Sequence, residues 1–123
     1  MRDLPGGPEL EMLALELDAE CLGILEGDDR RFAVAMIERA RAIAQREAKA
    51  GEAALAPVRA ALERLYGPGD PVQHFHRLAE DIRAGRFETP TARRDDVRDL
   101  LWALTLQKLR ESNPGFLRAH GLE

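Results

Sequence analysis

Aromatic residues are scarce in this 123-residue chain, at 5% of positions, and cysteine is scarcer still, with Cys21 alone. A single cysteine excludes an internal disulfide and gives no sign of an oxidising compartment. On an apolar helical stripe it acts as a small hydrophobe, and nucleophilic work would need an activating histidine or cation beside it. Long hydrophobic runs are missing as well. The longest apolar stretches, around 33–37 and 100–106, fall well short of the ~20 residues that cross a bilayer. The opening MRDLPGGPELEM lacks the apolar core of a secretory leader. These absences lead to the expectation of a cytoplasmic protein with no membrane partner.

Phosphate-cradling glycine patterns are also absent: neither G-x-x-x-x-G-K-[ST] nor G-x-G-x-x-G occurs. No alternating β-branched run suggests a strand. The net charge of -4 and a pI near 5.4 argue against a nucleic-acid surface. The charge is unevenly spread, however. Residues 1–29 hold one base against nine acids, and residues 30–50 hold six bases against two acids. Such blocks are ordinarily the solvated faces of neighbouring helices.

What the chain does have is Leu, Ala, Glu and Arg, all strong helix formers. With 45% apolar content, one domain spanning 1–123 can bury a core without metals or disulfides. The spacing predicts an all-α, single-domain bundle of about five helices paired as antiparallel hairpins. The first opens at Pro8 with Leu10, Leu13, Leu17, Cys21 and Ile24 as its buried stripe, widened by Leu15, Leu22 and Leu25. Glu26 to Asp29 end it, and an Asp caps the second helix, about Arg30 to Ala50. Phe32, Met36, Ile37, Ala40, Ile43 and Ala44 form that helix's apolar face, and Gly51 stops it.

A third helix covers roughly Glu52 to Tyr66, with its regular part beginning near Ala56, because Pro57 fits only a helix start. After the loop from Gly67 to Pro71 comes a fourth, Val72 to Ala84, with Phe75, Leu78, Ala79 and Ile82 facing inward and Gly85 as its stop. A fifth carries Val97, Leu100, Leu101, Leu104 and Leu109 as far as Asn113-Pro114. Phe116 and Leu117 then supply a short docking turn.

Candidates for chemistry are few. His74 and His76 are two apart and face different ways on a helix. His76 and Glu80, four apart, could offer two metal ligands, whereas a zinc site needs three or four. No second pair completes the set, so no metal or cofactor is expected. His76, Glu80 and Arg83 are the polar groups that could converge on a pocket between helices. Asp28-Asp29 and Asp95-Asp96 sit at helix starts, where capping explains them. Tyr66 and Trp102 could stack a ligand, but core or interface roles suit scarce aromatics better.

Four segments carry a resemblance: LPGGPEL (4–10), RFAVAMIERARAIAQRE (31–47), DIRAGRF (81–87) and KLRESNPGFL (108–117). In this order and spacing they resemble a bacterial all-helical family of unknown function found beside aminoglycoside-phosphotransferase-like kinases and acyl-CoA dehydrogenases. The resemblance implies no catalytic residues. It implies an accessory to a small-molecule kinase or to acyl-CoA metabolism. The apolar faces of the first and fifth helices are broader than one narrow stripe, so the expectation is a non-enzymatic interaction module working as a homo-oligomer or as partner of such a kinase. The alternative class is a helical bundle that binds or transforms a small acyl or nucleotide molecule.

Overall fold

The computed structural model describes residues 5–20 and 23–123. Within them lie six α-helices: α1 (Gly7–Glu20), α2 (Gly27–Ala50), α3 (Ala56–Tyr66), α4 (Pro71–Arg83), α5 (Ala92–Ser112) and α6 (Pro114–Ala119). A 3-10 turn, Glu52–Leu55, precedes α3. No strand occurs among the described residues, so the all-α expectation holds. None of the described helices is long and apolar enough to cross a membrane. The chain divides into two compact units, one running to Gly51 and the other from Glu52 onward.

In the first unit α1 packs on α2 as an antiparallel hairpin, because the start of one helix meets the end of the other. The Gly7 amide donates to a Glu47 carboxylate oxygen at 2.6 Å. Glu47 thus satisfies one of the amides that a helix start leaves without a partner. A Cβ at residue 7 would lie 2.9 Å from that carboxylate oxygen and in ordinary contact with the Ala44 backbone, so a larger residue here would displace the Glu47 cap.

The buried positions are Gly7, Ala14, Ile37 and Ala44. Small residues set this contact, and they displace the stripe read from leucine spacing. Leu13, Leu15 and Leu17 are exposed, as are Phe32 at 70% and Met36. Ile24, expected in the stripe, is 79% exposed in the connection after α1. Cys21 and Leu22 lie outside the described residues. The expected Asp cap is also replaced: α2 starts at Gly27 with Glu26 as N-cap and no capping side-chain bond, which puts Asp28 and Asp29 in its first turn. Their negative charge there still suits the positive helix end.

The second unit is built around Val58, Ala61, Leu62, Leu78, Val97 and Leu100, with Leu65, Phe75, Phe87 and Leu104 packed against them. Helix α3 begins at Ala56 with Pro57 in its first turn, as the proline requires. The remaining helices are capped by side chains. Asp70 accepts from the Val72 amide, Thr91 from Arg94 and Asn113 from Phe116. Each cap contributes about 1 kcal/mol. Asn113 and Pro114 together turn the chain from α5 into α6, where Leu117 is buried. Phe116 is exposed instead and stacks on His120 at 4.1 Å.

Two positions assigned to the core face outward. Ile82 on α4 and Leu101 on α5 are both exposed. Helix α4 instead buries His74, Leu78 and Asp81, a face at steps of four and three that is two-thirds polar. Leu100 and Leu101 therefore form a sharp contrast, at 1% and 39% exposure. We expect Leu100→Ala to cost about 2–5 kcal/mol through the cavity it leaves. Leu101→Ala should cost under ~1 kcal/mol. Urea unfolding of the two variants checks both values.

Candidate functional site

The DIRAGRF segment makes the joint between α4 and α5. Ala84 ends α4 and Gly85 follows with φ +73°, a left-handed conformation that glycine adopts without strain. Two backbone bonds then close the helix end: the Gly85 amide donates to the Ile82 carbonyl at 3.0 Å, and the Arg86 amide to the Asp81 carbonyl at 3.1 Å. This pairing is the Schellman arrangement. It folds Arg86 back over the last turn of α4, so that its guanidinium also meets the Asp81 side chain, Nη1 to Oδ1, at 2.7 Å.

Asp81 is only 6% exposed. A carboxylate so placed costs several kcal/mol unless it is paired and hydrogen-bonded. Its second oxygen accepts from the Tyr66 hydroxyl at 2.8 Å, so both oxygens are engaged. Tyr66 stands at the end of α3, with the His74 ring 5.8 Å away and the Arg77 guanidinium 4.8 Å above its own ring. Burial, reinforced by the bond to Asp81 and that carboxylate's negative charge, pushes the Tyr66 hydroxyl up to about 12. A phenol held that firmly protonated is a fixed donor at neutral pH, poorly suited to general acid–base work.

Two openings flank this joint. An apolar groove of about 760 Å3 runs beside α5, walled by Ile82, Phe87, Val97, Leu101 and Trp102, with Arg94, Arg98 and Asp99 as its charged lining. Trp102 is 53% exposed there. A smaller cleft of about 410 Å3 lies between α4 and the start of α5; Arg77, Arg86 and Arg93 line it, with Asp81 and Phe87. Phe87 is a wall of both.

The residues singled out from sequence fall differently. His76, Glu80 and Arg83 are exposed on α4 and line neither opening. No group of three or more His, Cys, Asp or Glu among the described residues could hold a metal. Asp95 lies in the first turn of α5 and pairs with Arg98 at 3.4 Å. Tyr66 and Trp102 were the informative aromatics, one at the carboxylate and one in the groove. Asp81 escaped sequence reading because an acid between Glu80 and Ile82 looks like a solvated helix position. Its available signal was Gly85-Arg86 four and five residues on, which is the spacing that returns an arginine to a helix end.

Nucleophile and base are not brought together among the described residues. The hydroxyls of Thr105 and Ser112 donate to carbonyls of their own helix, and His120 contacts the Phe116 carbonyl through Nδ1.

Tyr66 is the chain's one tyrosine, so its titration can be followed directly by phenolate absorbance. The folded protein should ionise near 12 and the urea-unfolded chain near the ordinary value of about 10. Between those values the unfolded state releases a proton that the folded state keeps, so stability is full below about 10 and falls as pH rises further. Asp81→Asn should move the folded midpoint down toward the ordinary value. An unchanged midpoint in that variant would remove Asp81 from the explanation.

No curated protein and no solved structure matches the chain. A family described as Domain of unknown function (DUF6285) matches residues 25–116, three-quarters of the sequence. That span includes RFAVAMIERARAIAQRE, DIRAGRF and nearly all of KLRESNPGFL, while LPGGPEL precedes it. The chain therefore belongs to the DUF6285 family of domains of unknown function.

Proposed function

We propose that this protein is a non-enzymatic interaction module whose docking element is the groove beside α5. The observation that carries the reading is Trp102, a scarce aromatic exposed in an apolar groove between Ile82 and Leu101. Half-exposed aromatics in apolar grooves are the usual anchors of protein interfaces. The tied hydroxyls and the firmly protonated Tyr66 support a binding role over catalysis.

The occupant we assign is α1 of a second copy. That helix bears five acids and no Lys or Arg, with Met12, Leu13, Leu15 and Leu17 exposed among them. The groove offers apolar walls with Arg94, Arg98 and Asp99 among its lining, and Arg98 is paired with Asp95 and Asp99. Apolar surface thus meets apolar surface, with Arg94 as the rim cation that no described carboxylate pairs, and a charge so placed helps set register and partner choice. The family resemblance adds a competing occupant, an aminoglycoside-phosphotransferase-like kinase in bacterial, cytoplasmic acyl-CoA metabolism. A bundle that binds a small acyl or nucleotide molecule remains the rival reading only in so far as the cleft, rather than the groove, is the working surface.

Light scattering on the purified protein should give a dimer or larger species. Trp102→Ser should weaken that association by about tenfold or more, since an anchoring aromatic is worth ~2 kcal/mol, and leave the thermal midpoint of the monomer in place. A wild-type protein that stays strictly monomeric and binds the kinase in a pull-down moves the groove to that partner. A monomer that binds neither defeats the reading.

A further inference from the structure

We propose that the cleft between α4 and the start of α5 is a binding site for a small phosphate monoester. The groove plays no part in this inference, which rests on the charge and anchoring of the cleft itself.

The whole chain is acidic, at -4, yet this cleft gathers three guanidinium groups against one carboxylate. The carboxylate is already committed, because Tyr66 and Arg86 occupy both oxygens of Asp81. Arg77 and Arg93 have no ion-pair partner among the described residues. Arg77 is held by the face of Tyr66, and Arg93 reaches the Leu65 carbonyl through Nη2 at 3.4 Å. Each guanidinium presents five N–H donors in a rigid fork, and one anchoring contact leaves most of them available. Three anchored forks around one opening are pre-organised for an oxyanion, because little side-chain freedom is lost when it binds.

The net excess of two positive charges selects among anions. A phosphate monoester carries about -1.5 to -2 at neutral pH and accepts paired N–H bonds from arginine. A single carboxylate would neutralise half of that excess. Ala92 and Arg93, which also line the cleft, are the first two residues of the 21-residue α5, and a helix gives their amides no internal acceptor. Phe87 supplies one apolar wall for whatever carries the phosphate. At about 410 Å3 the cleft falls within the size of ordinary small-molecule sites.

The probe is inorganic phosphate, titrated into the full chain at constant ionic strength balanced with chloride and followed by amide NMR shifts. Residues 86–93 should shift saturably in the millimolar range. Acetate at matched ionic strength should leave them nearly unmoved. Arg77→Gln and Arg93→Gln should each weaken phosphate by about tenfold, the loss of one charge-assisted contact, with thermal midpoints in phosphate-free buffer close to wild type. Glucose 6-phosphate should bind at least as tightly as inorganic phosphate, and its failure to bind would overturn the assignment to monoesters. Non-saturating shifts, equal shifts with acetate, or unchanged affinity in both variants would each overturn the proposal.

Discussion

A carboxylate buried at a helix end sets the terms for the whole second unit. Asp81 points into a junction walled by Tyr66 and the α4–α5 turn, where water is largely excluded. Such a group is tolerated only if both oxygens find strong donors. The chain meets that demand from two directions: the last residue of α3 supplies a hydroxyl, and the turn after α4 supplies a guanidinium. Asp81 therefore joins α3, α4 and the approach to α5 by directional bonds, where leucine packing alone would leave their rotation loosely specified.

The same demand explains the surface. Adjacent residues on a helix lie about 100° apart, so an inward Asp81 turns Ile82 away from the core. Ile82 then lies beside the outward Leu101 and Trp102, and the three make an apolar groove. On the other side, the folded-back Arg86 and the stacked Arg77 bring positive charge to the start of α5. Groove and cleft lie on either side of this joint, with Phe87 as their common wall. Asp81 holds Arg86, while the Tyr66 ring and the Leu65 carbonyl hold Arg77 and Arg93.

Most helix boundaries were readable because they rest on local chemistry, although the expected docking turn after Pro114 is a sixth helix. Pro57 marks the start of α3, Gly51 and Gly85 follow helix ends, and Asn113-Pro114 turns the corner into α6. Facing directions were less readable. In α1 and α2 the leucine and phenylalanine spacing pointed to one stripe, but close approach at Gly7, Ala14 and Ala44 selected another. Periodicity weighs large apolar residues, while a hairpin held by backbone proximity is decided by small ones. In α4 the fault was of a different kind. Hydropathy treats Asp81 as outward whatever its partners, and those partners come from residues five and fifteen positions away. His76 and Glu80 were weak candidates because they share a helix face, and the neighbouring face is where groups from other elements converge.

The segments that carry the family resemblance can now be given physical content. RFAVAMIERARAIAQRE ends on Glu47, which caps the start of α1. DIRAGRF is the Schellman joint with its returning arginine. KLRESNPGFL holds the Asn113 cap and Pro114 between α5 and α6. DIRAGRF and KLRESNPGFL are places where the chain stops one helix and aims the next, whereas RFAVAMIERARAIAQRE runs inside α2 and presents Glu47 to the start of α1. The surfaces these joints create draw on the same residues, since Ile82 and Phe87 of DIRAGRF wall the groove and Asp81, Arg86 and Phe87 line the cleft. The two that combine unusual composition with room for an occupant are the Trp102 groove and the arginine cleft.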